Sequence, residues 1–159
     1  MKQIVIAFIC IAFLSCNSTA QDATEEKETF KITKTEAEWK AELTDDQFYV
    51  LRKAGTERPF SSPLNKIYTP GTYVCAACET PLFKGKDKFD SGTGWPSFDR
   101  EIVGNVAFDT DNNLGYTRTE EHCATCGGHL GHVFNDGPRE TTGKRHCING
   151  DALKFIPEQ

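Results

Sequence analysis

An antiparallel, mainly β fold, held by a metal clip and preceded by short helices, is the fold class this sequence predicts. Three observations carry that expectation. Two Cys-x-x-Cys pairs, Cys75 with Cys78 and Cys123 with Cys126, supply four soft thiolates, the ligand set of a closed tetrahedral zinc site. From Gly71 onward, short β-like runs alternate with Gly, Asn and Asp turns. Ahead of Gly71 the apolar spacing is helical and carries capping signals.

The totals set the limits. A chain of 159 residues with 38% hydrophobic content, eleven Phe and two Trp holds one domain with a real core plus a tail. Its net charge is −5. A nucleic-acid partner is disfavoured, because phosphates call for clustered Lys and Arg.

Residues 1–20 read as an export leader. Lys2 is the positive start, Ile4 to Leu14 is the apolar run, and small polar residues follow. The run is short for a bilayer span, which takes about 20 apolar residues. An N-terminal membrane anchor or buried helix is the alternative. Phe13-Leu-Ser-Cys16 resembles a bacterial lipobox, so the leader is expected to end at a lipid-anchored Cys16. A rival cut after Ala20 would release the protein freely. Either way the expected location is the cell envelope or periplasm, with membrane contact only through Cys16. Residues 21–33 are polar and acidic and read as a flexible spacer, leaving 34–159 as the domain.

Within the domain, Glu36 to Leu43 predicts a short helix with Trp39 and Leu43 on one face. Thr44 with Gln47 is a capping-box start for a second helix that buries Phe48 and Leu51 and stops at Gly55. Both are expected to cover a sheet and to carry no chemistry. Pro59, Pro63 and Pro70 mark turn-rich chain. Strand-like runs lead into the first Cys pair at Thr72 to Val74 and leave it at Pro81 to Phe83. Others fall at Ile102 to Phe108, Gly115 to Thr119, Ile148 and Leu153 to Ile156. Phe89 to Phe98 reads as a Gly- and Pro-punctuated loop displaying Trp95.

Two readings of the Cys pairs stand. Export would permit disulfides, but two matched pairs favour a structural zinc whose four thiolates leave no open position for catalysis. Of seven Cys, two belong to the leader and four to the clip, which leaves Cys147. A lone Cys is often inert and buried. Here Lys144, Arg145 and His146 adjoin it, and cations raise thiolate content, so Cys147 is the candidate nucleophile. His129 and His132 are core histidines, metal ligands or acid–base groups, and with the zinc already satisfied the last is preferred. Gly131 between them implies close backbone packing. Trp95 either lines a site or plugs the core.

Glu57-Arg-Pro-Phe60, the Cys75/Cys78 pair, Ser91 to Phe98, Cys123 to Pro138 and Thr142 to Asn149 together resemble the B-type peptide methionine-R-sulfoxide reductases. The resemblance spans about residues 35 to 157. It implies two packed antiparallel sheets of the β-tent kind, N-terminal helices, and one structural Zn2+ on Cys75, Cys78, Cys123 and Cys126. It implies reduction of the R epimer of methionine sulfoxide in oxidised proteins or peptides, by a monomer. On this chain it makes Cys147 the nucleophile, with His129, His132 and Asn149 holding and protonating the sulfoxide oxygen. Trp95 and Phe134 would receive the methyl group, and Arg145 would flank Cys147. Many relatives carry a resolving Cys where Thr93 stands. This chain is therefore expected to pass its sulfenic acid directly to a thioredoxin-like protein or a small thiol. His146, where Tyr is common, and Gly150-Asp151, where Ser-Ala is common, bear on substrate preference. A non-catalytic zinc-ribbon module and a disulfide oxidoreductase working through the Cys-x-x-Cys pairs are the rival functions.

Overall fold

The computed structural model describes residues 29–159. The leader, Cys10, Cys16 and the first part of the expected spacer lie outside the described residues. Two helices open the domain, α1 (Glu36–Glu42) and α2 (Asp45–Lys53). Each starts with a full capping box: Thr35 with Glu38, and Thr44 with Gln47. Such boxes satisfy two otherwise orphaned backbone N–H groups, and the N-cap side chain alone is worth about 1 kcal/mol. Trp39, Leu43, Phe48 and Leu51 are buried as the spacing predicts. The stop of α2 differs in detail. Ala54, not Gly55, takes the left-handed position at φ 50°. Gly55 serves another purpose, since a Cβ there would fall 2.2 Å from the Tyr49 ring.

Among the described residues nine strands form two antiparallel sheets. The smaller holds β1 (Gly71–Cys75) between β2 (Pro81–Lys84) and β9 (Leu153–Pro157). The larger comprises β3 (Lys88–Phe89), β4 (Ser97–Phe98), β5 (Val106–Asp111), β6 (Arg118–Cys123), β7 (His129–Phe134) and β8 (Arg145–Ile148). Its strand order is β3-β4-β8-β7-β6-β5. The core sits between the sheets. Tyr73 and Phe83 from the smaller meet Phe98 from the larger, with the Phe83 and Phe98 rings stacked at 4.4 Å and Tyr73 edge-on at 4.9 Å. Aromatic pairs of this kind add about 0.5–1.5 kcal/mol beyond the area they bury.

Several predicted boundaries shift. The run expected at Ile102 to Phe108 becomes β5 only from Val106, because Ile102 to Asn105 closes a turn (Asn105 N–H to Ile102 O, 3.0 Å). The run at Gly115 to Thr119 becomes β6 only from Arg118, and the loop of Phe89 to Phe98 has short strands at both ends. The whole of β7 is an addition, since the sequence signalled it only as a motif. Packing of the N-terminal segment begins inside the expected spacer. Phe30 meets the His122 ring edge-on at 5.7 Å, and Ile32 N–H donates to Thr125 O at 3.0 Å. Among the described residues no helix is long and apolar enough to cross a membrane.

Candidate active site and metal centre

The four Cys of the two pairs are free thiols whose sulfurs all lie within 4.8 Å of one another. Cys75 Sγ is 3.8 Å from Cys126 Sγ, and Cys78 Sγ is 3.5 Å from Cys123 Sγ. A tetrahedral zinc with Zn–S bonds of about 2.3 Å sets its ligand sulfurs about 3.8 Å apart, so the cluster fits that ion and the donors suit it. The disulfide reading fails on this geometry, as bonded sulfurs stand about 2.05 Å apart. Thr80 Oγ1 lies 3.2 Å from Cys78 Sγ. Arg52 of α2 donates to Cys126 Sγ at 3.2 Å and to Cys126 O at 2.8 Å, while its guanidinium covers the Trp39 ring at 3.9 Å. Four thiolates around a dication carry net negative charge, which this cation partly offsets. The helix expected to be without chemistry therefore supports the metal centre.

The second Cys pair is also the turn of the β6–β7 hairpin. Cys123 ends β6, Gly127 N–H closes back on Cys123 O at 2.8 Å, and β7 starts at His129. Glu121 pairs with Gly131 and His122 with His129, so Leu130 is an extra residue without a partner on β6. In a regular strand, residues three apart face opposite sides. One extra residue restores the same side. His129 and His132 accordingly meet edge-on, with ring centroids 5.6 Å apart. The displaced Leu130 carbonyl accepts from both Asn149 N–H and Asn149 Nδ2, each at 2.9 Å.

Register then assembles the site. His132 lies opposite Cys147, Cys147 opposite Ser97, and Phe134 opposite Arg145, which puts all of these side chains on one face of the larger sheet. Gly131 makes the close approach of β7 to β8 possible, since a Cβ there would sit 2.0 Å from Cys147 O. Cys147 opens into a cleft of about 150 Å³ with Trp95, Phe134, His132, Arg118, Thr56 and Asn149 around it. The Trp95 ring is fixed by its Nε1–H donating to Glu57 O at 3.2 Å. Asn149 Oδ1 accepts from Glu57 N–H at 3.0 Å. With Nδ2 already bonded to Leu130 O, the Asn149 amide keeps one N–H for anything in the cleft.

Each histidine has its own carboxylate. His129 Nδ1 donates to Glu120 Oε1 at 2.5 Å, and His132 Nε2 donates to Asp111 Oδ2 at 2.8 Å. Those bonds leave His129 Nε2 and His132 Nδ1 as the free ring nitrogens. Burial lowers the His132 pKa, against the opposing pull of Asp111. Asp111 is held near 2 by the Asn113 N–H, His132 and Arg118. His129 does not line the cleft and lies buried behind His132. Arg145 does not line it either. Its guanidinium grips Asp136 through two bonds at 2.8 and 2.9 Å and covers the Phe134 ring at 4.4 Å.

The cations beside Cys147 in sequence do not act together. His146 points to the opposite face, buried, with Nδ1 2.6 Å from Glu121 Oε1. Lys144 reaches Asn135 at 2.6 Å. Burial raises the Cys147 pKa, while the Arg145 charge and the Thr93 hydroxyl pull it down. Sequence reasoning missed Arg118, Asp111, Glu120 and Thr56. Only register puts the first three beside the histidines, and nothing in their local sequence signals it. Glu57-Arg-Pro-Phe60 pointed to the neighbourhood of Thr56 without its role.

A family model described as the SelR domain matches residues 43–157. The "Peptide methionine sulfoxide reductase MsrB" of Agrobacterium fabrum is 49% identical over 128 residues, 80% of this chain and 94% of that protein. The protein so described from Leptospira interrogans is 50% identical over 130 residues, 81% of this chain and 98% of that one. The one from Methanosarcina mazei is 51% identical over 130 residues, 81% of this chain and 92% of that one. With its clip, fold and cleft in place, the chain belongs to the SelR-domain family of B-type peptide methionine sulfoxide reductases.

Proposed function

We infer that this protein reduces the R epimer of methionine sulfoxide in peptides and proteins, and so repairs oxidative damage. One observation carries the reading: the one thiol outside the metal clip among the described residues, Cys147, shares a small cleft with an indole, a phenyl ring and a carboxylate-backed imidazole. The apolar walls, Trp95 and Phe134, suit the methyl group of the sulfoxide, and His132 with Arg118 suits its oxygen. The two epimers differ only in where that oxygen points, so a cleft polar at one end can tell them apart.

Cys147, as thiolate, attacks the electrophilic sulfur. His132, when protonated on both ring nitrogens, gives its Nδ1 proton to the departing oxygen and returns to the neutral imidazole, with Asp111 steadying the imidazolium through Nε2–H. His129 with Glu120 stands behind as a second dyad, and Asn149 holds the bulge that aligns both imidazoles. The oxygen ends on Cys147 as a sulfenic acid and the substrate sulfur, two electrons richer, leaves as methionine. A thiol reductant then displaces water from the sulfenic acid to give a mixed disulfide, and a second thiol releases Cys147. Thr93 places a hydroxyl against Cys147 and no thiol, so that reductant, a thioredoxin-like protein or a small thiol, comes from outside the domain. Zinc, when bound by the four Cys, stabilises the fold and stands apart from the reaction. The leader's charge, apolar length and Cys16 support export to the envelope as a lipid-anchored protein.

The test uses R and S sulfoxide peptides with wild type and Cys147→Ser. Wild type reduces only the R epimer and yields a dimedone-trapped sulfenic acid, while the variant keeps its zinc and loses turnover. Turnover retained by the variant rejects the mechanism.

A further inference from the structure

The cleft that holds Cys147 has room for one side chain. Its volume of about 150 Å³ falls below the roughly 300–1,000 Å³ of pockets that enclose a whole small ligand. A methionine sulfoxide that reaches the sulfur while still part of a polypeptide therefore leaves its neighbours outside, on the rim.

Two large rings stand on that rim, one to each side of the sulfur. Phe60 is 66% exposed and Tyr116 is 58% exposed. The Phe60 N–H donates to Gly94 O at 2.7 Å, and its ring lies on Gly94, where a Cβ would come within 3.0 Å of it. Gly94 directly precedes Trp95, the indole wall of the cleft. Tyr116 is braced on another wall, its ring 6.0 Å from the guanidinium of Arg118. The Trp95 loop leads into β4 and Arg118 begins β6, while β8 with Cys147 lies between those strands in the sheet.

Single exposed rings are common on protein surfaces. Phe60 is set apart by its backbone. At φ 64° it holds the left-handed region, which a residue with a bulky side chain enters only under constraint. Burial does not offset that strain, because most of the ring remains in water. Strain kept in this way gathers at ligand clamps. Tyr116 stands at the tip of the β5–β6 hairpin, which is fixed by Asn113 N–H donating to Asp111 Oδ1 and Thr117 Oγ1 donating to Asn112 Oδ1, each at 2.8 Å. Rings held in place like these lose little freedom when a ligand covers them.

We propose that Phe60 and Tyr116 form a substrate-binding rim that takes apolar side chains beside the methionine sulfoxide, one on each side of it in the polypeptide. Both are then specificity-determining residues. The proposal rests on the reductase reading of the cleft.

The experiment compares two blocked five-residue peptides with methionine-R-sulfoxide at the centre and Ser at the ends. One has Leu at both positions next to the sulfoxide, the other Ser. Dithiothreitol serves as reductant, so no protein partner intervenes. For wild type, kcat/KM is expected to be about tenfold higher for the Leu peptide, the weight of partly burying two leucine side chains. The difference falls in KM, since contacts remote from the reacting sulfur are made equally before and during the reaction. Glycine takes φ 64° without strain, so Phe60→Gly removes the ring and keeps the turn. In Phe60→Gly/Tyr116→Ser the ratio falls toward one. It is read within each protein, so a general change in activity cancels. Equal kcat/KM for the two peptides in wild type, or a ratio that survives the double variant, overturns the rim, while turnover of both peptides upholds the reductase reading. If neither peptide is reduced, both readings fall.

Discussion

The thiol of Cys147 sits between opposing influences: burial, which disfavours its charge, and the Arg145 guanidinium and Thr93 hydroxyl, which favour it. Burial dominates, so the resting thiol titrates above its ordinary value and most of it is protonated near neutral pH. Loss of Arg145 removes the larger of the two opposing pulls. In Arg145→Met the pH profile of iodoacetamide alkylation at Cys147 is therefore expected to move to higher pH. R-sulfoxide reduction at neutral pH falls about tenfold, the weight of one hydrogen bond to a charged group. A profile unmoved by the substitution would deny Arg145 this role. His146, next along the strand, makes no such difference because the strand's alternation turns it into the core beside Glu121.

At the scale of elements, the helices announced themselves and the central strand did not. Thr35 with Glu38 and Thr44 with Gln47 are local signals, and local signals are legible. The strand β7 was hidden for two physical reasons. Gly131 removes a side chain where the alternation should show, and the extra Leu130 breaks the period of two. The site was legible where a motif named it, in Cys147, His132, Trp95 and Phe134, and illegible where strand register alone builds it, in Asp111, Glu120 and Arg118. The contribution of α2 to the metal was equally invisible, since Arg52 meets Cys126 across a long stretch of chain. That contact makes a measurable claim. Arg52→Met should leave the helices intact and weaken zinc binding about 10- to 100-fold, the usual cost of losing a partner to a metal ligand. Competition with a chromophoric chelator reads it directly.

For the molecule as a whole, the question is whether the sheets stand without the metal. A structural zinc contributes about 10–16 kcal/mol of binding free energy at neutral pH, against a net stability of about 5–15 kcal/mol for a typical domain. The metal's share is comparable to the whole margin, so removal of zinc is expected to unfold both sheets together. Treatment with a strong chelator under reducing conditions should abolish near-ultraviolet circular dichroism and R-sulfoxide reduction along one curve. A chelated protein that keeps its aromatic signal would show that the Tyr73, Phe83 and Phe98 core suffices alone.

The knuckle that grips the ion is also the bend from which β6 and β7 depart, carrying Glu120, His129 and His132 with them. Shortage of one trace nutrient would thus scatter these two histidines and their carboxylates as surely as a lesion in the strands themselves. An organism deprived of zinc would lose part of its defence against oxidants without any change in its genes.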